Sequence, residues 1–210
     1  MLSYYLGIEV RQGKETLTSC QSAYASKLLK RSGMAECKSC VTPMEERLKL
    51  TKASTVVKLD ATLYQSIVGG LRYLVHTRPN IAFVVSYVSR FMEDPSVDHW
   101  AAVKQLLRYI KGTVDQGTVF PKTGESGMQL TMFSDADMAE DIDGRRSTSG
   151  VLVFLGSAPI SWLSLKQKVV ALSTCKTEYV TVATAVCRAV WLRRLLGELI
   201  DGMSSSTALK

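Results

Sequence analysis

The chain has 210 residues, of which 46% are hydrophobic, 21% charged and 8% aromatic. This composition is typical of one sizeable globular domain or two small ones, and it excludes a disordered chain, a collagen-like chain and a small disulfide scaffold. Lys and Arg outnumber Asp and Glu by 26 to 19, and residues 1–59 hold ten of the bases against five acids. A net charge of +7 favours phosphate-bearing partners.

The sequence predicts neither a membrane segment nor secretion. No apolar stretch approaches the roughly 18 residues of a transmembrane helix, and the first residues lack the basic region and cleavage pattern of a secretory signal. We therefore expect an intracellular protein, cytoplasmic or nuclear, with no membrane partner and no small-molecule substrate. The five cysteines are expected to be free thiols, because Cys37 and Cys40 have no further metal ligands close by in sequence.

The first half of the chain predicts a strand pair followed by helices. Residues 4–12 and 16–20 alternate as two strands, and residues 22–33 have the apolar spacing of a short helix. Residues 36–58 are expected to be an extended connector. Three helices are predicted within residues 60–112, with Asp60 as the first N-cap and Pro79 in the first turn of the second helix.

The sequence pattern of the second half predicts strands followed by one long helix. Strand patterns occur in "GMQLTMFSDADMA", "SGVLVFLG" and "APISWLSLKQKVVALS", and a helix is expected from about Thr174 to Leu199. Strands followed by a helix indicate an α+β or α/β unit that begins near residue 127.

Carboxylates in this half are the strongest candidates for chemistry. Asp135 and Asp137 alternate onto one side of a strand end, and Glu178 is expected at the head of the apolar stripe of the long helix. Hard oxygen ligands from a strand and a helix are what a Mg²⁺ site requires. The alternative is structural: the aspartates end a strand, and Glu178 stabilises the first turn of its helix against the helix dipole.

Seven segments, taken in order, carry a family resemblance. They are "YYLGIEV", "AYASKLLKRSGM", "CKSCVTPM", "YQSIVGGLRYLVHTRPNIAFVVSYVSRFM", "HWAAVKQLLRYIKGT", "FSDADMAEDIDGRRSTSG" and "ISWLSLKQKVVALSTCKTEYV". Together they resemble the C-terminal part of the Pol polyprotein of copia-type LTR retrotransposons.

The resemblance implies an α+β protein made of two partial domains. Residues 1–120 correspond to the thumb and connection region of a reverse transcriptase, and residues 121–210 to a partial RNase H-like βββα unit. By motif match, Asp135 resembles the first catalytic aspartate and Glu178 the catalytic glutamate. In the family these carboxylates hold two Mg²⁺ ions for cleavage of the RNA strand of an RNA–DNA hybrid.

Departures from the family pattern lead us to expect little or no catalysis. The Asp-Asp motif of the polymerase should precede "YYLGIEV", and the next RNase H aspartate should follow the long helix on a further strand. We expect that no fourth strand forms, so Mg²⁺ binding is expected to be weak or absent. The sequence therefore leaves both an active and an inactive RNase H as alternatives.

Three functions are compatible with the sequence. The first is a fragment of a retrotransposon reverse transcriptase/RNase H polyprotein that is catalytically inactive. The second is an active Mg²⁺-dependent RNase H completed by a partner Pol fragment. The third is a non-enzymatic module that binds an RNA–DNA hybrid or another nucleic acid through its basic first 59 residues.

Overall fold

The computed structural model describes residues 3–53, 57–122, 129–199 and 207–209. These residues form α-helices and β-strands in a mixed α+β arrangement whose sheets are largely antiparallel. The strands are β1 (Tyr4–Tyr5), β2 (Ile8–Gln12), β3 (Thr16–Cys20), β4 (Gly117–Pro121), β5 (Leu130–Ala136), β6 (Thr148–Leu155), β7 (Ala158–Lys166) and β8 (Thr207–Leu209). The helices are α1 (Ser22–Arg31), α2 (Ala61–Leu74), α3 (Ala82–Val88), α4 (Val97–Gly112) and α5 (Thr174–Leu199).

Two four-stranded sheets organise the strands. The first has the order β1-β2-β3-β4, and the second has the order β7-β6-β5-β8. In the second sheet β5, β6 and β7 are antiparallel neighbours, and β8 lies parallel to β5 with Leu130 opposite Thr207. The expectation that no fourth strand forms is therefore wrong, because three residues suffice to pair with the free edge of β5.

The chain divides into two compact units. The first unit contains Met1–Gly13 and Thr18–Thr118, and the second contains Lys14–Leu17 and Val119–Lys210. Each unit has its own apolar core among the described residues. Within the described part of the chain, no helix is both long and apolar enough to span a bilayer.

The core of the first unit is built by α1 to α4 together with part of the connector. Buried apolar side chains recur at helical spacing along α2, from Tyr64 through Ile67, Val68 and Leu71 to Leu74. The Asp60 side chain accepts a hydrogen bond from the Thr62 backbone N–H at 2.9 Å, which confirms its predicted role as the N-cap.

A buried arginine joins two helical segments of the first unit. Arg78 is 1% exposed, and its guanidinium donates to the hydroxyl and carbonyl oxygens of Thr113 and to the carbonyl of Val114. Burial lowers the pKa of Arg78 because desolvation disfavours the charged form. The hydrogen bonds offset that cost and hold the end of α4 next to the segment that contains Pro79.

Two predicted elements are interrupted in the structure. The strand expected over residues 4–12 is a hairpin of β1 and β2, because Leu6 and Gly7 both adopt positive φ angles and form a two-residue turn. The helix expected after Pro79 begins as a 3₁₀ turn and ends in another at Ser89–Phe91. There the Ser89 hydroxyl donates to the Val85 carbonyl at 2.6 Å, a bond that commonly bends a helix end.

The core of the second unit lies between one face of its sheet and α5. The packed side chains are Leu130 and Met132 on β5, Val151 and Val153 on β6, and Ala185, Ala189 and Leu192 on α5. Because side chains alternate along a strand, these positions define which face of each strand lies under the helix.

Candidate functional site

Asp135 is the next-to-last residue of β5 and lies opposite Gly150 on β6. Its side chain is exposed. Leu130 and Met132 are buried under α5, so strand alternation puts Asp135 on the other face of β5. The carboxylate makes no hydrogen bond or ion pair with any residue that the structure describes.

Glu178 lies in the second turn of α5 and is half-buried. The buried stripe of the helix runs through Thr177, Thr181, Ala185, Ala189 and Leu192, so it starts one residue before Glu178. The expectation that Glu178 heads the stripe is therefore wrong. A threonine can be buried once its hydroxyl is hydrogen-bonded, whereas a carboxylate pays a larger desolvation cost.

The structural alternative for Glu178 also differs from what the structure contains. The first turn of α5 has no acidic residue, so Glu178 stands beyond the turn in which a carboxylate interacts best with the helix dipole. Like that of Asp135, its carboxylate makes no hydrogen bond or ion pair to a described residue. Both carboxylates are thus uncommitted within the described parts of the chain.

Two further acids near Asp135 hold the loop that joins β5 to β6. The Asp137 carboxylate accepts from the Thr148 N–H at 2.9 Å and from the Glu140 N–H at 3.4 Å. The buried Asp141 carboxylate forms an ion pair with the Lys166 ammonium at 2.6 Å and accepts from the Gly144 N–H at 2.7 Å. These two side chains shape the loop and are already engaged by protein donors.

The donor set does not fit a two-metal site. Within the described residues, no three His, Cys, Asp or Glu side chains come together in a way that could hold a metal ion. Two ions need more anionic ligands than the two uncommitted carboxylates of Asp135 and Glu178.

A buried polar cluster beneath the start of α5 was not anticipated from the sequence. Ser149, Gln167, Thr177 and Thr181 are all more than nine-tenths buried and are linked by hydrogen bonds. The available signals were threonines spaced four apart on a helix and a polar residue, Ser149, at the start of an otherwise apolar strand. Neither signal identifies its partners, since these come from three different elements.

Comparison with known proteins identifies the family of this α+β chain. No family model matches it. It is 43% identical over 198 residues to the retrovirus-related Pol polyprotein from transposon RE2 of Arabidopsis thaliana, covering 94% of this chain and 14% of the relative. The Pol polyprotein from transposon RE1 of the same plant is 42% identical over 94% of this chain, with 13% of the relative covered.

A shorter relative matches over most of its own length. An uncharacterized mitochondrial protein of Arabidopsis thaliana is 36% identical over 188 residues, covering 90% of this chain and 77% of the relative. The chain belongs to the Pol polyprotein family of copia-type retrotransposons. It spans about one seventh of the length of the Pol polyproteins that it matches, 14% and 13% in the two cases above.

Proposed function

We propose that this Pol-derived chain handles RNA–DNA hybrids, with a thumb- and connection-like first unit and an RNase H-like second unit. The observation that carries the proposal is the order of the elements that contain Asp135 and Glu178. Asp135 stands near the end of β5, the strand that begins an antiparallel run of three, and Glu178 stands on the helix that follows the run. The RNase H-type pattern that the sequence resembles has the same order of three strands and a helix.

The fourth strand supports the same proposal. In the family pattern, a further strand follows the long helix and carries the next catalytic aspartate. Here β8 follows α5 and lies parallel to β5, on the side away from β6. This order of elements supports an RNase H-like second unit with Asp135 on one of its two central strands, although β8 (Thr207–Leu209) itself contains no aspartate.

We propose further that hybrid cleavage by this chain is weak or absent. A two-metal reaction needs a clamp of several carboxylates around both ions, whereas Asp137 is bound by backbone N–H groups and Asp141 by Lys166. Bound Mg²⁺ would supply an activated water and stabilisation of the leaving oxygen. The uncommitted carboxylates of Asp135 and Glu178 can attract a hydrated cation only weakly.

The test combines binding and cleavage of a labelled RNA–DNA hybrid. We expect the purified chain to bind the hybrid and, with Mg²⁺ present, to cleave it little or not at all. Asp135→Asn is compared with Glu140→Gln, which neutralises an exposed acid of the neighbouring loop. Robust cleavage that Asp135→Asn abolishes and Glu140→Gln preserves would contradict the inactivity. Absence of hybrid binding would contradict the proposed function itself.

A second candidate function is nucleic-acid binding without catalysis. It is favoured by α1, where Lys27, Lys30 and Arg31 are exposed while Ala25, Leu28 and Leu29 face the core. Spacings of three and four put these bases on neighbouring turns of one helix, where they can meet successive phosphates. This function predicts binding that does not depend on Asp135.

A further inference from the structure

The contact between α5 and its sheet has two chemically different halves. The later turns of the helix contribute Ala185, Ala189 and Leu192 to the apolar core of the second unit. The early turns contribute Thr177 and Thr181, which are 1% and 0% exposed. The polar half is closer to Glu178 and to the end of β5 that carries Asp135, since Ser149 lies opposite Ala136.

In the polar half, each hydroxyl proton has a defined acceptor. The Thr181 hydroxyl donates to the Thr177 carbonyl at 3.0 Å, so the Ser149 hydroxyl must donate in its own 2.6 Å contact with Thr181. The Gln167 amide nitrogen donates to the Ser149 hydroxyl and to the Thr177 carbonyl, both at 3.0 Å. A carbonyl can only accept, so the contact with Thr177 fixes which end of the Gln167 amide faces the helix.

Three separate elements meet in this cluster. Ser149 belongs to β6, Gln167 directly follows β7, and Thr181 belongs to α5. The Gln167 backbone N–H also donates to the Ser147 carbonyl at 2.8 Å, so its main chain is held against the start of β6. The Gln167 side chain thus bridges the helix to a segment whose own position is set by the sheet.

The two halves differ in how well they define the position of the helix. An apolar contact lined by alanines is non-directional, so it resists a shift along the helix axis only weakly. Hydrogen bonds are directional, so they break when the helix shifts along its axis by a fraction of a turn. A shift of one turn in one direction would put Ala185 opposite Ser149, and in the other it would press Thr181 into the space of Ala185.

We propose that Ser149, Gln167 and Thr181 are positioning residues that fix the register of α5 on the sheet. By doing so they set where Glu178 stands relative to the strand end that carries Asp135. The significance of that placement rests on the proposed function, in which both carboxylates take part in handling the hybrid. The register itself depends only on the hydrogen bonds described above.

The experiment compares three substitutions on α5 by hydrogen–deuterium exchange and thermal unfolding of the full chain. Thr181→Val keeps the shape and removes the hydroxyl, and Thr181→Ser keeps the hydroxyl. The control, Thr184→Val, replaces threonine by valine at a half-buried position of the same helix. The Thr184 hydroxyl donates at 3.0 Å to the Val180 carbonyl. This control therefore removes a hydroxyl bond within α5 and leaves the bonds between the helix and the sheet in place.

We expect the three variants to differ clearly in the rate of hydrogen exchange along α5. We expect Thr181→Val to speed exchange in the early turns of α5 by roughly five- to tenfold, the effect of about one lost buried hydrogen bond. Thr181→Ser should restore the original exchange. Thr184→Val should leave it close to that of the parent chain, because a hydroxyl bond to the preceding turn does not tie the helix to the sheet.

Three results would overturn the proposal. One is exchange in Thr181→Val that matches the parent chain or is no faster than in Thr184→Val. Another is exchange in the early turns of α5 that is as fast in Thr181→Ser as in Thr181→Val. That result would show that the methyl group matters and the hydroxyl does not. The third is acceleration spread evenly over both halves of α5, which would indicate general destabilisation. If Thr181→Val does not fold, Ser149→Ala provides the same comparison from the strand side.

This readout separates the register from the proposed function. Exchange and unfolding require neither hybrid nor metal ion, so the positioning role can hold or fail by itself. A chain that shows the expected exchange pattern but binds no hybrid would contradict the proposed function alone. A chain that binds hybrid without the expected pattern would contradict the positioning role alone.

Discussion

Two adjacent glycines in α2 have very different surroundings. A Cβ atom built at Gly70 would come within 2.6 Å of Leu28 Cδ1 and within 3.1 Å of an Arg31 guanidinium nitrogen, whereas one at Gly69 would meet nothing within 4 Å. Leu28 is 2% exposed, so it has little room to move aside. Of the two glycines, only Gly70 is therefore required for the close approach of α1 and α2.

This difference predicts opposite effects of the same substitution. Gly70→Ala should lower the free energy of unfolding by about 1–3 kcal/mol, because overpacking against α1 outweighs the gain in helix propensity. Gly69→Ala should raise it by roughly 0.5–1 kcal/mol, because only the propensity changes. Chemical denaturation of both variants measures the contrast. Equal effects of the two substitutions would be inconsistent with close packing at Gly70.

At the residue scale, the sequence predicted the elements that carry the two carboxylates but misplaced Glu178 relative to the buried side of its helix. The strand and helix that carry Asp135 and Glu178 form where the pattern predicted them. Ala185, Ala189 and Leu192 are buried as predicted, but the first two positions of the stripe are Thr177 and Thr181 instead of Glu178 and Val182, because these threonines find hydrogen-bond partners outside the helix. A hydrophobicity pattern treats threonine as polar and cannot register that its hydroxyl will be satisfied by another element.

At the scale of elements, local signals located most helices and strands of the described chain. The predicted helices over residues 22–33 and 97–112 are confirmed as α1 and α4, and the long helix begins and ends at Thr174 and Leu199 as expected. β4 was missed. It is only five residues long and contains a glycine and a proline, which are both uncommon in strands. Gly117 allows an approach to the Ser19 carbonyl that a Cβ would block at 2.2 Å.

The N-cap of α2 allows a test at this scale. Asp60→Ala removes the acceptor for the Thr62 N–H and should cost roughly 0.5–2 kcal/mol of unfolding free energy. Asp60→Asn keeps an acceptor oxygen at the same place and should be close to neutral. Thermal and chemical unfolding of the two variants provide the measurement. A large loss in Asp60→Asn would mean that the charge, and not the cap, stabilises the helix.

At the scale of the whole molecule, charge is distributed unevenly along the chain. Residues 1–59 carry a net charge of +5, whereas residues 60–120 and 121–210 each carry +1. The exposed bases of α1 lie within the first of these segments. Positive charge spread evenly along the chain would favour only weak, general attraction to nucleic acid, whereas positive charge concentrated in one segment favours defined phosphate contacts.

The excess of positive charge in residues 1–59 predicts how hybrid binding depends on salt concentration. The logarithm of the affinity should fall linearly with the logarithm of salt concentration, by roughly 0.7–0.9 for each phosphate neutralised. Combining Lys27→Ala with Lys30→Ala should reduce that slope by about two phosphate contacts. Fluorescence anisotropy over a salt series measures it, with Lys104→Ala and Lys111→Ala on α4 as the matched pair. Equal slopes for both pairs would contradict a role for α1.

The sequence by itself determined the family, the α+β class and the position of most helices and strands. These follow from local quantities: hydrophobic period, capping residues, glycine and proline positions, and short ordered motifs. The motif match also singled out Asp135 and Glu178 before any contact was known.

Only the tertiary structure decided which carboxylates are committed and how α5 is held on the sheet. Asp137 and Asp141 take backbone and lysine partners that lie three to 25 positions away along the chain. Ser149, Gln167 and Thr181 likewise meet from three elements. Satisfaction of a buried polar group depends on donors and acceptors that folding brings together, and no local pattern encodes that pairing.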